Sequence, residues 1–272
     1  MISVLILTLN EEANIGDCIE SLPWREDVHI LDSGSIDQTS KIARDLGAHV
    51  STNDFNGYAS QRNTGLSLPF KHEWVVMLDA DERMTGELAA EIESEIANAN
   101  SNLTMLRVRR RDIFMGRWIK RSSGYPTWFP RVFRRGRVSV EREINEEYIS
   151  DGNVKQLNGH IDHYPFNKGM DWWFERHNRY STMEARLLVA RSKHFPSTRN
   201  AGDPGNRRAI LKAIAYRLPF RPYLTFAYLY VVRGGFLDGK AGWTYANMRL
   251  AYELTINSKA AYFRYQKQDD IE

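Results

Sequence analysis

Two carboxylates in the segment Leu78-Asp79-Ala80-Asp81-Glu82 are the residues whose types and spacing most clearly suggest chemistry. They follow an apolar run that begins at Trp74, and the Val, Trp and Met of that run favour a buried strand. Asp79 and Asp81 would then stand where the strand ends, in the crevice where open α/β sheets bind ligands. Neighbouring carboxylates repel each other unless a cation joins them, and Mg²⁺ or Mn²⁺ suits such oxygen ligands together with substrate phosphates. The motif predicts a metal that holds a diphosphate; an acidic turn without a metal is the simpler alternative.

Two earlier polar clusters follow apolar runs in the same way. They are Thr8-Leu9-Asn10-Glu11-Glu12 and Asp32-Ser33-Gly34-Ser35-Ile36-Asp37. Because the carboxyl ends of parallel strands meet at one edge of a sheet, we expect all three clusters to lie close together. Carboxylates there accept hydrogen bonds from a base or ribose, and exposed backbone amides reach phosphate. With Arg62 adding a cation from a nearby helix, the set predicts a nucleotide site.

The first 100 residues alternate between strand and helix patterns, which short turns connect. Strands are predicted over 2–8, 28–31, 47–50 and 74–78, and helices over 10–21, 37–46, 59–68 and 85–99, the first of them capped by Asn10. This alternation predicts an α/β fold with a doubly wound, mostly parallel sheet. Further strands are predicted over 105–111 and 130–140, and helices rich in Arg and aromatic residues begin at Met170.

Charge is distributed unevenly along the chain. Residues 1–100 hold 18 acidic and 6 basic residues, so the net charge of +3 leaves +15 for residues 101–272. A basic C-terminal half implies an anionic partner such as phosphate, anionic lipid or nucleic acid, and solvated helix faces are the alternative. The single cysteine, Cys18, excludes a disulfide framework and a multi-cysteine zinc site. With no signal peptide visible and no apolar stretch long enough to span a bilayer, we expect a cytoplasmic protein.

The strand-end motifs resemble those of the family-two inverting glycosyltransferases, which have the GT-A fold. The resemblance extends over nearly the whole chain and is closest to small bacterial members that add a sugar to lipopolysaccharide core or other lipid-linked glycans, the lipopolysaccharide-core β-glucosyltransferase group. The later matching segments are Phe129 to Gly136, Ile144 to Glu147, His163-Tyr164, Asn178 to Ser181 and Gly234 to Gly239.

This resemblance implies how the chain is divided. A Rossmann-like GT-A catalytic domain would cover residues 1–168, with a nucleotide-sugar half over about 1–100 and an acceptor half over about 101–168. Residues 169–272 would form a helical extension, rich in Arg and aromatic residues, that binds the membrane or the acceptor.

The resemblance also implies an activity and its residues. Sugar would move with inversion from a nucleotide-diphosphate sugar, UDP being the favoured nucleotide, to a lipid-linked or lipopolysaccharide-core acceptor, with Mg²⁺ or Mn²⁺ bound by Asp81 and His163. The implied donor-binding residues are Thr8, Asn10, Glu11, Asp32, Arg62, Asp79 and Arg131. Glu146 matches the general base, and Glu147 and Glu143 are nearby alternatives. Asn145 departs from the His that relatives often carry before the base.

Aromatic and Arg residues between Arg217 and Arg233 are typical of interfacial segments. We therefore expect this segment to bind the anionic inner face of the cytoplasmic membrane, with a core helix or dimer interface as the alternative. Two other functions compete with glycosyl transfer. A sugar-phosphate nucleotidyltransferase would need a Gly-rich basic loop where residues 8–12 are acidic, and a nucleic-acid-binding module would be repelled by the carboxylate edge, so no nucleic-acid partner is expected.

Overall fold

The structure is a computed structural model that describes residues 1–141, 146–191, 218 and 220–269. The chain forms two compact units. The first consists of Met1–Trp118 and Tyr125–Asn167, and the second of Ile119–Gly124 and the chain from Lys168 onward.

A mixed sheet organises the first unit. Its strands follow the order β3-β2-β1-β4-β8-β6-β11-β5, with β7 beside β6, and β9 and β10 form a separate hairpin. Six strands of this sheet (β1 to β4, β6 and β11) run in one direction, since β8 is antiparallel to both β4 and β6. The predicted mostly parallel α/β sheet is confirmed. The strands are β1 Ser3–Thr8, β2 Val28–Asp32, β3 His49–Thr52, β4 Trp74–Asp79, β5 Glu82–Arg83, β6 Leu103–Phe114, β7 Arg117–Trp118, β8 Trp128–Arg134, β9 Val138–Glu141, β10 Glu147–Ser150 and β11 Asn153–His163.

Four helices cover this sheet. They are α1 Ile15–Glu20, α2 Thr39–Asp45, α3 Tyr58–Leu66 and α4 Gly86–Ala97. Successive residues of a strand point to opposite faces, so Val4 and Ile6 pack with residues of α1, α2 and α4, whereas Leu5 packs with Leu66 at the end of α3. The buried β1 and β4 thereby fix the position of the polar residues at their carboxyl ends.

Two predicted elements differ from those observed. Helix α1 begins at Ile15 rather than at Asn10, because Asn10 takes a left-handed conformation (φ 53°) and belongs to a loop. The strand predicted over 130–140 is divided into β8 and β9 by a turn in which Gly136 has φ 74°. A positive φ favours glycine or asparagine and interrupts a regular element.

The second unit is helical. Its helices are α5 Met170–Arg191, α6 Arg221–Ala227 and α7 Gly239–Asp269, with a π-helical turn Tyr228–Val232 and a 3₁₀ turn Gly235–Asp238 between α6 and α7. Helices α5 and α7 share an apolar core that includes Ala185 and Ile256. Of the predicted interfacial segment, Arg217 and Pro219 lie outside the described residues. Across the portion of the chain that the structure describes, every helix is too short or too polar to traverse a bilayer.

Candidate active site

The carboxyl ends of β1 and β2 meet at Thr8 and Asp32, which are register partners. Thr8 donates its hydroxyl hydrogen to Asp32 Oδ1 at 2.7 Å, and the Ser35 hydroxyl donates to the same oxygen. The backbone amides of Gly34 and Ser35 donate to Oδ2 at 3.1 and 2.7 Å. A carboxylate has about four acceptor positions, so protein donors fill those of Asp32. Asp32 closes this loop, and a contact with a nucleotide base would require one of these donors to leave.

The loop after β1 is joined to the loop after β2 by side-chain to backbone hydrogen bonds. Asn10 Oδ1 accepts from the amide of Ile36 at 2.9 Å, and the amide of Glu11 donates to the hydroxyl of Thr39 at 2.7 Å. Thr8, Asn10, Glu11 and Asp32 are therefore brought together at one edge of the sheet, as their spacing predicted. The left-handed backbone at Asn10 is the consequence of this connection rather than of a helix cap.

Asp79, at the end of β4, is held by two arginines. Arg131 Nη2 lies 2.6 Å from Asp79 Oδ2, and Arg62 Nη2 lies 3.6 Å from Oδ1. Arg131 also forms a bidentate pair with Glu82, whose Oε2 accepts from Arg131 Nε at 2.9 Å and from the Asp79 amide at 3.1 Å. The Arg131 side chain is only 5% exposed. Asp79, Arg131 and Arg62 thus form one ion-paired network.

Electrostatics in this network favour the charged forms. Burial by itself raises the pKa of Asp79, but Arg131 and Arg62 outweigh it and lower the pKa of this carboxyl well below its usual range. Burial likewise lowers the pKa of Arg131, whereas Asp79 and Glu82 raise it well above its ordinary value. Asp79 therefore remains an anion and acceptor, which suits a contact with ribose hydroxyls.

Glu146 lies beside the same network. Its Oε1 is 3.4 Å from Arg62 Nε, and about a quarter of its side chain (26%) is exposed. Glu147 begins β10, is exposed, and stands opposite Glu141 on β9. Of these two candidate bases, Glu146 is the one next to the donor-side carboxylates. Glu143, the third candidate, and Asn145 lie outside the described residues.

Asp81 and His163 form the candidate metal pair. His163 Nε2 is 3.3 Å from Asp81 Oδ2, and His163 Nδ1 is 2.7 Å from Asp112 Oδ1. The amide of Tyr164 donates to the carbonyl of Asp81 at 2.8 Å, which ties the two segments together. Burial lowers the pKa of His163, but Asp81 and Asp112 outweigh burial and raise it to about 9, so the ring is protonated at neutral pH and bridges two carboxylates.

The residues present fit a divalent cation bound together with a substrate. A carboxylate oxygen and an imidazole nitrogen are ligands that Mn²⁺ accepts, and Mg²⁺ or Mn²⁺ commonly takes one or two protein ligands plus substrate phosphates. Within the described residues, no cluster of three or more His, Cys, Asp or Glu side chains is arranged to hold a metal. Asp81 and His163 would therefore hold the cation only with further ligands from a diphosphate, and the Nε2 proton would have to leave.

Asp112 is a residue of this site that the sequence motifs did not predict. The sequence does contain a signal, because Asp112 is the single acidic residue in the run from Arg107 to Arg137, which holds 11 Lys and Arg. The role of Glu82 was missed as well, although it belongs to the acidic motif, because its partner Arg131 is 49 residues away.

Comparisons with known proteins identify the family of this chain. Residues 3–154 match the family described as glycosyl transferase family 2. The chain is 29% identical over 266 residues to the "Lipopolysaccharide core biosynthesis glycosyltransferase LpsC" of Rhizobium meliloti (strain 1021), covering 92% of this chain and 90% of that protein. It is 32% identical over 203 residues to an uncharacterized glycosyltransferase of Rickettsia felis, covering 72% and 68%.

A solved structure is also similar over part of the chain. It is glucosyl-3-phosphoglycerate synthase from Mycobacterium tuberculosis in complex with Mn²⁺, UDP and glucosyl-3-phosphoglycerate, with 24% identity and a TM-score of 0.35 over 41% of this chain and 44% of that one. The family match covers more than half of the chain and includes all three strand-end clusters. The chain therefore belongs to glycosyl transferase family 2 and is a glycosyltransferase with a GT-A-like fold.

Proposed function

We propose that this enzyme transfers a sugar, with inversion, from a nucleotide-diphosphate sugar to a lipopolysaccharide-core or other lipid-linked glycan acceptor. The observation that carries the proposal is the position of Arg62, which contacts both Asp79 of the donor edge and Glu146. One arginine thereby links the candidate ribose-binding carboxylate to the candidate base. Membership of the family favours this reaction over nucleotidyl transfer, the competing enzyme class.

The reaction that these residues support is a single in-line displacement. The acceptor oxygen forms a bond to the anomeric carbon while the bond from that carbon to the diphosphate oxygen breaks. Glu146 takes the proton of the acceptor hydroxyl, and the nucleoside diphosphate leaves with the bonding electrons. A cation held by Asp81 and His163 would supply positive charge to the departing diphosphate. Asp79 accepts from the ribose, and Arg131 holds Asp79 in place.

We propose UDP as the nucleotide of the donor, and the support for this choice is the resemblance of the sequence motifs to those of the family. Thr8, Asn10 and Glu11 would border the nucleotide, and Asp32 and Arg62 would lie near the base. Backbone amides in the loops after β1 and β2 donate to side chains of the same two loops, so they would meet phosphate only after those hydrogen bonds open. Asp32 would approach the base only after releasing one of its present donors.

Replacing the two adjacent glutamates tests the assignment of the base. Glu146→Gln should lower kcat about 10²- to 10⁴-fold with little change in the affinity for donor, because it removes proton transfer and keeps the shape of the side chain. Glu147→Gln is the matched control and should retain kcat, since its side chain is exposed on the hairpin. Release of UDP from UDP-sugars, with truncated lipopolysaccharide as acceptor, measures both variants. Equal losses in the two variants would contradict the assignment.

The proposed acceptor is supported by the relative named for lipopolysaccharide core biosynthesis, which aligns with 92% of this chain. A lipid-linked acceptor lies at a membrane surface, so a membrane-binding region would bring enzyme and acceptor together. The second unit offers such a region, and we propose that it binds the anionic cytoplasmic leaflet.

An exposed apolar surface supports membrane binding. We call it the apolar patch, and it consists of Leu224, Tyr228, Val231, Val232, Phe236 and Leu237, each at least half exposed. Val232 reaches 74% exposure. The exposed Arg121 lies against Gly234, where a Cβ would be 3.1 Å from Arg121 Cδ, and exposed Lys240 follows the patch. Apolar side chains with adjacent cations are the combination that binds anionic bilayers.

The 3₁₀ turn that carries part of the apolar patch is held in place within its unit. Asp238 is buried, and its Oδ2 accepts from the amides of Arg121 and Ser122 at 2.9 and 2.8 Å. This carboxylate anchors the 3₁₀ turn that carries Phe236 and Leu237. Phe236 and Leu237 therefore stand on a fixed turn, whose backbone would lose little conformational freedom on binding.

Vesicle binding tests the patch. The double variant Val232→Asp with Leu237→Asp should weaken co-sedimentation with phosphatidylglycerol vesicles at least about tenfold, because it puts charge on two side chains that would be buried in the bilayer on binding. Tyr265→Asp is the control, since Tyr265 is 60% exposed but outside the patch. The membrane proposal is wrong if the wild-type protein remains in the supernatant at low salt, or if both variants lose binding equally.

A further inference from the structure

We propose that Asp112 is a positioning residue for the metal pair, holding the imidazole of His163 so that Nε2 faces the Asp81 carboxylate. This inference rests on the proposed binding of a cation by Asp81 and His163. In this proposal Asp112 acts through His163 and is not itself a ligand of the donor or the cation.

The sheet places Asp112 and His163 side by side. β6 and β11 are parallel, and Asp112 and His163 are register partners at the ends of these strands. Side chains of such partners project from the same face of a sheet. The resulting contact, 2.7 Å between His163 Nδ1 and Asp112 Oδ1, is shorter than the 3.3 Å contact between the same ring and Asp81.

The other edge of β11 holds the ring from the opposite side. His163 is also the register partner of Glu82 on β5, and Glu82 immediately follows Asp81. Asp81 Oδ2 is 3.3 Å from Nε2. His163 is therefore bracketed, with one ring nitrogen directed at β6 and the other at the segment that carries the candidate metal carboxylate.

The chemistry of imidazole makes this arrangement directional. A carboxylate can only accept, so the hydrogen in the contact with Asp112 resides on Nδ1 of His163. In the neutral ring the lone pair then belongs to Nε2, the nitrogen that faces Asp81. Histidines that bind metals commonly donate their second N–H to a carboxylate, which fixes the tautomer and orientation and raises the basicity of the ligand.

Arg110 completes the support of Asp112. Its Nε lies 3.2 Å from Asp112 Oδ1, and its guanidinium carbon lies 4.3 Å from the centre of the Phe129 ring. Arg110 lies on the same strand as Asp112 and is its ion-pair partner, which favours this position of the carboxylate. The chain from Arg110 through Asp112 and His163 to Asp81 joins three segments of the sheet edge.

The sequence offers a matched control in Asp162. Asp162 pairs with Arg111 on β6, as Asp112 pairs with Arg110, and the side chains of the two aspartates are similarly exposed, at 17% and 14%. Loss of either carboxylate removes an ion pair between arginine and aspartate at this sheet edge. Only the loss of Asp112 removes a contact with His163.

Calorimetric titration of Mn²⁺ into the full-length protein with saturating UDP tests the inference. Asp112→Ala should weaken Mn²⁺ binding about 10- to 100-fold, which is typical for partners of metal-binding histidines. Asp112→Asn keeps an oxygen that accepts from Nδ1, so its affinity for Mn²⁺ should lie between those of the wild type and Asp112→Ala. Asp162→Ala should bind Mn²⁺ as the wild-type protein does.

The outcomes separate this inference from the function on which it rests. If the wild-type protein binds no Mn²⁺ in the presence of UDP, the proposed metal pair is wrong, and this inference is wrong with it. If the wild type binds Mn²⁺ and Asp112→Ala binds it equally well, or Asp162→Ala loses as much affinity, only the inference is overturned. Circular dichroism of each variant establishes that it is folded. If Asp112→Ala does not fold, the Mn²⁺ affinities of Asp112→Asn and Asp162→Asn are compared instead, with the same interpretation.

Discussion

At the scale of single residues, the candidate site depends on arginines that hold carboxylates in fixed positions. Arg131 is buried and contacts both Asp79 and Glu82, while Arg62 connects Asp79 with Glu146. Without these cations the neighbouring carboxylates would repel one another. The arginines therefore stabilise the sheet edge and orient the carboxylates that we propose to meet the donor.

Removal of Arg131 should therefore destabilise the fold as well as the site. Arg131→Ala leaves the buried Glu82 carboxylate without its partner, and breaking a buried ion pair on one side costs about 3–5 kcal/mol. Arg137→Ala is the control, since Arg137 pairs with Asp151 on the surface and its loss should cost less than about 1 kcal/mol. Urea unfolding measures both free energies. Similar losses for the two variants would show that Arg131 has no special structural role.

The residues that could be predicted from the sequence are those whose position follows from neighbouring residues in the chain. Asp79 ends β4 and Asp81 follows two residues later, as the apolar run before them predicts. The ion pair between Asp79 and Arg131 could not be predicted from local sequence, because Arg131 is 52 residues away. The pairing of β4 with β8 brings the two side chains together. Asp112 was missed for the same reason, because its importance comes from register with His163 on a neighbouring strand.

At the scale of elements, close packing of α3 against β1 sets the position of Arg62. A Cβ on Gly65 would lie 2.7 Å from Leu5 Cδ2, and Leu5 is fully buried. Glycine at this point lets the helix approach the sheet, and Arg62 is one turn earlier on the same helix.

Gly65→Ala should consequently destabilise the protein even though alanine is the better helix former. Overpacking of this kind costs about 1–3 kcal/mol because Leu5 cannot move freely in the core. Gly86→Ala at the start of α4 is the matched control, since no atom lies within 4 Å of its Cβ position, and it should be neutral or slightly stabilising. The free energy of unfolding in urea measures both. A neutral Gly65→Ala would mean that α3 can shift away from β1 without cost.

The elements themselves were largely predictable where burial dominates. β1, β2 and β4 are nearly all buried and read as apolar runs in the sequence. The prediction failed at the start of α1 because Asn10 bonds to the next loop instead of capping a helix. Hydrogen bonds between loops 25 or more residues apart leave no periodic signal in the sequence.

At the scale of the whole molecule, an acidic N-terminal part is combined with a basic helical part. Residues 1–100 hold 18 acidic and 6 basic residues, and the excess of cations lies after residue 100. The helical unit also holds a partly buried titratable ring, since His177 stacks on Trp173 at 3.5 Å between ring centres and its Nδ1 lies 2.8 Å from the Trp173 carbonyl. This carbonyl accepts, so Nδ1 carries the hydrogen.

Stability should fall in acid because of His177. Burial lowers its pKa from 6.5 to about 4, so between these values the unfolded chain takes up a proton that the folded chain does not. The free energy of unfolding should then decrease as pH falls from 6.5 to 4, by roughly 2 kcal/mol once the about 3 kcal/mol of the full pKa shift is discounted for the partial exposure of the ring. His177→Phe keeps a ring on Trp173 without titrating, and the difference between wild type and variant isolates the effect from that of carboxylates. If the difference in the free energy of unfolding between the wild type and His177→Phe does not change with pH, His177 is not the cause of the loss of stability in acid.

We propose that the carboxyl edge of the sheet binds a nucleoside diphosphate together with a cation. A thermal-shift panel of UDP, GDP, dTDP and CDP, each with and without Mn²⁺, tests it most directly, with Asp81→Ala measured alongside. Ligand at about 100 times its Kd stabilises the native state by about 2.7 kcal/mol and should raise Tm by several degrees. We predict a shift for UDP that requires Mn²⁺ and is lost in Asp81→Ala. No shift with any of the four nucleotides, with or without Mn²⁺, would contradict the claim.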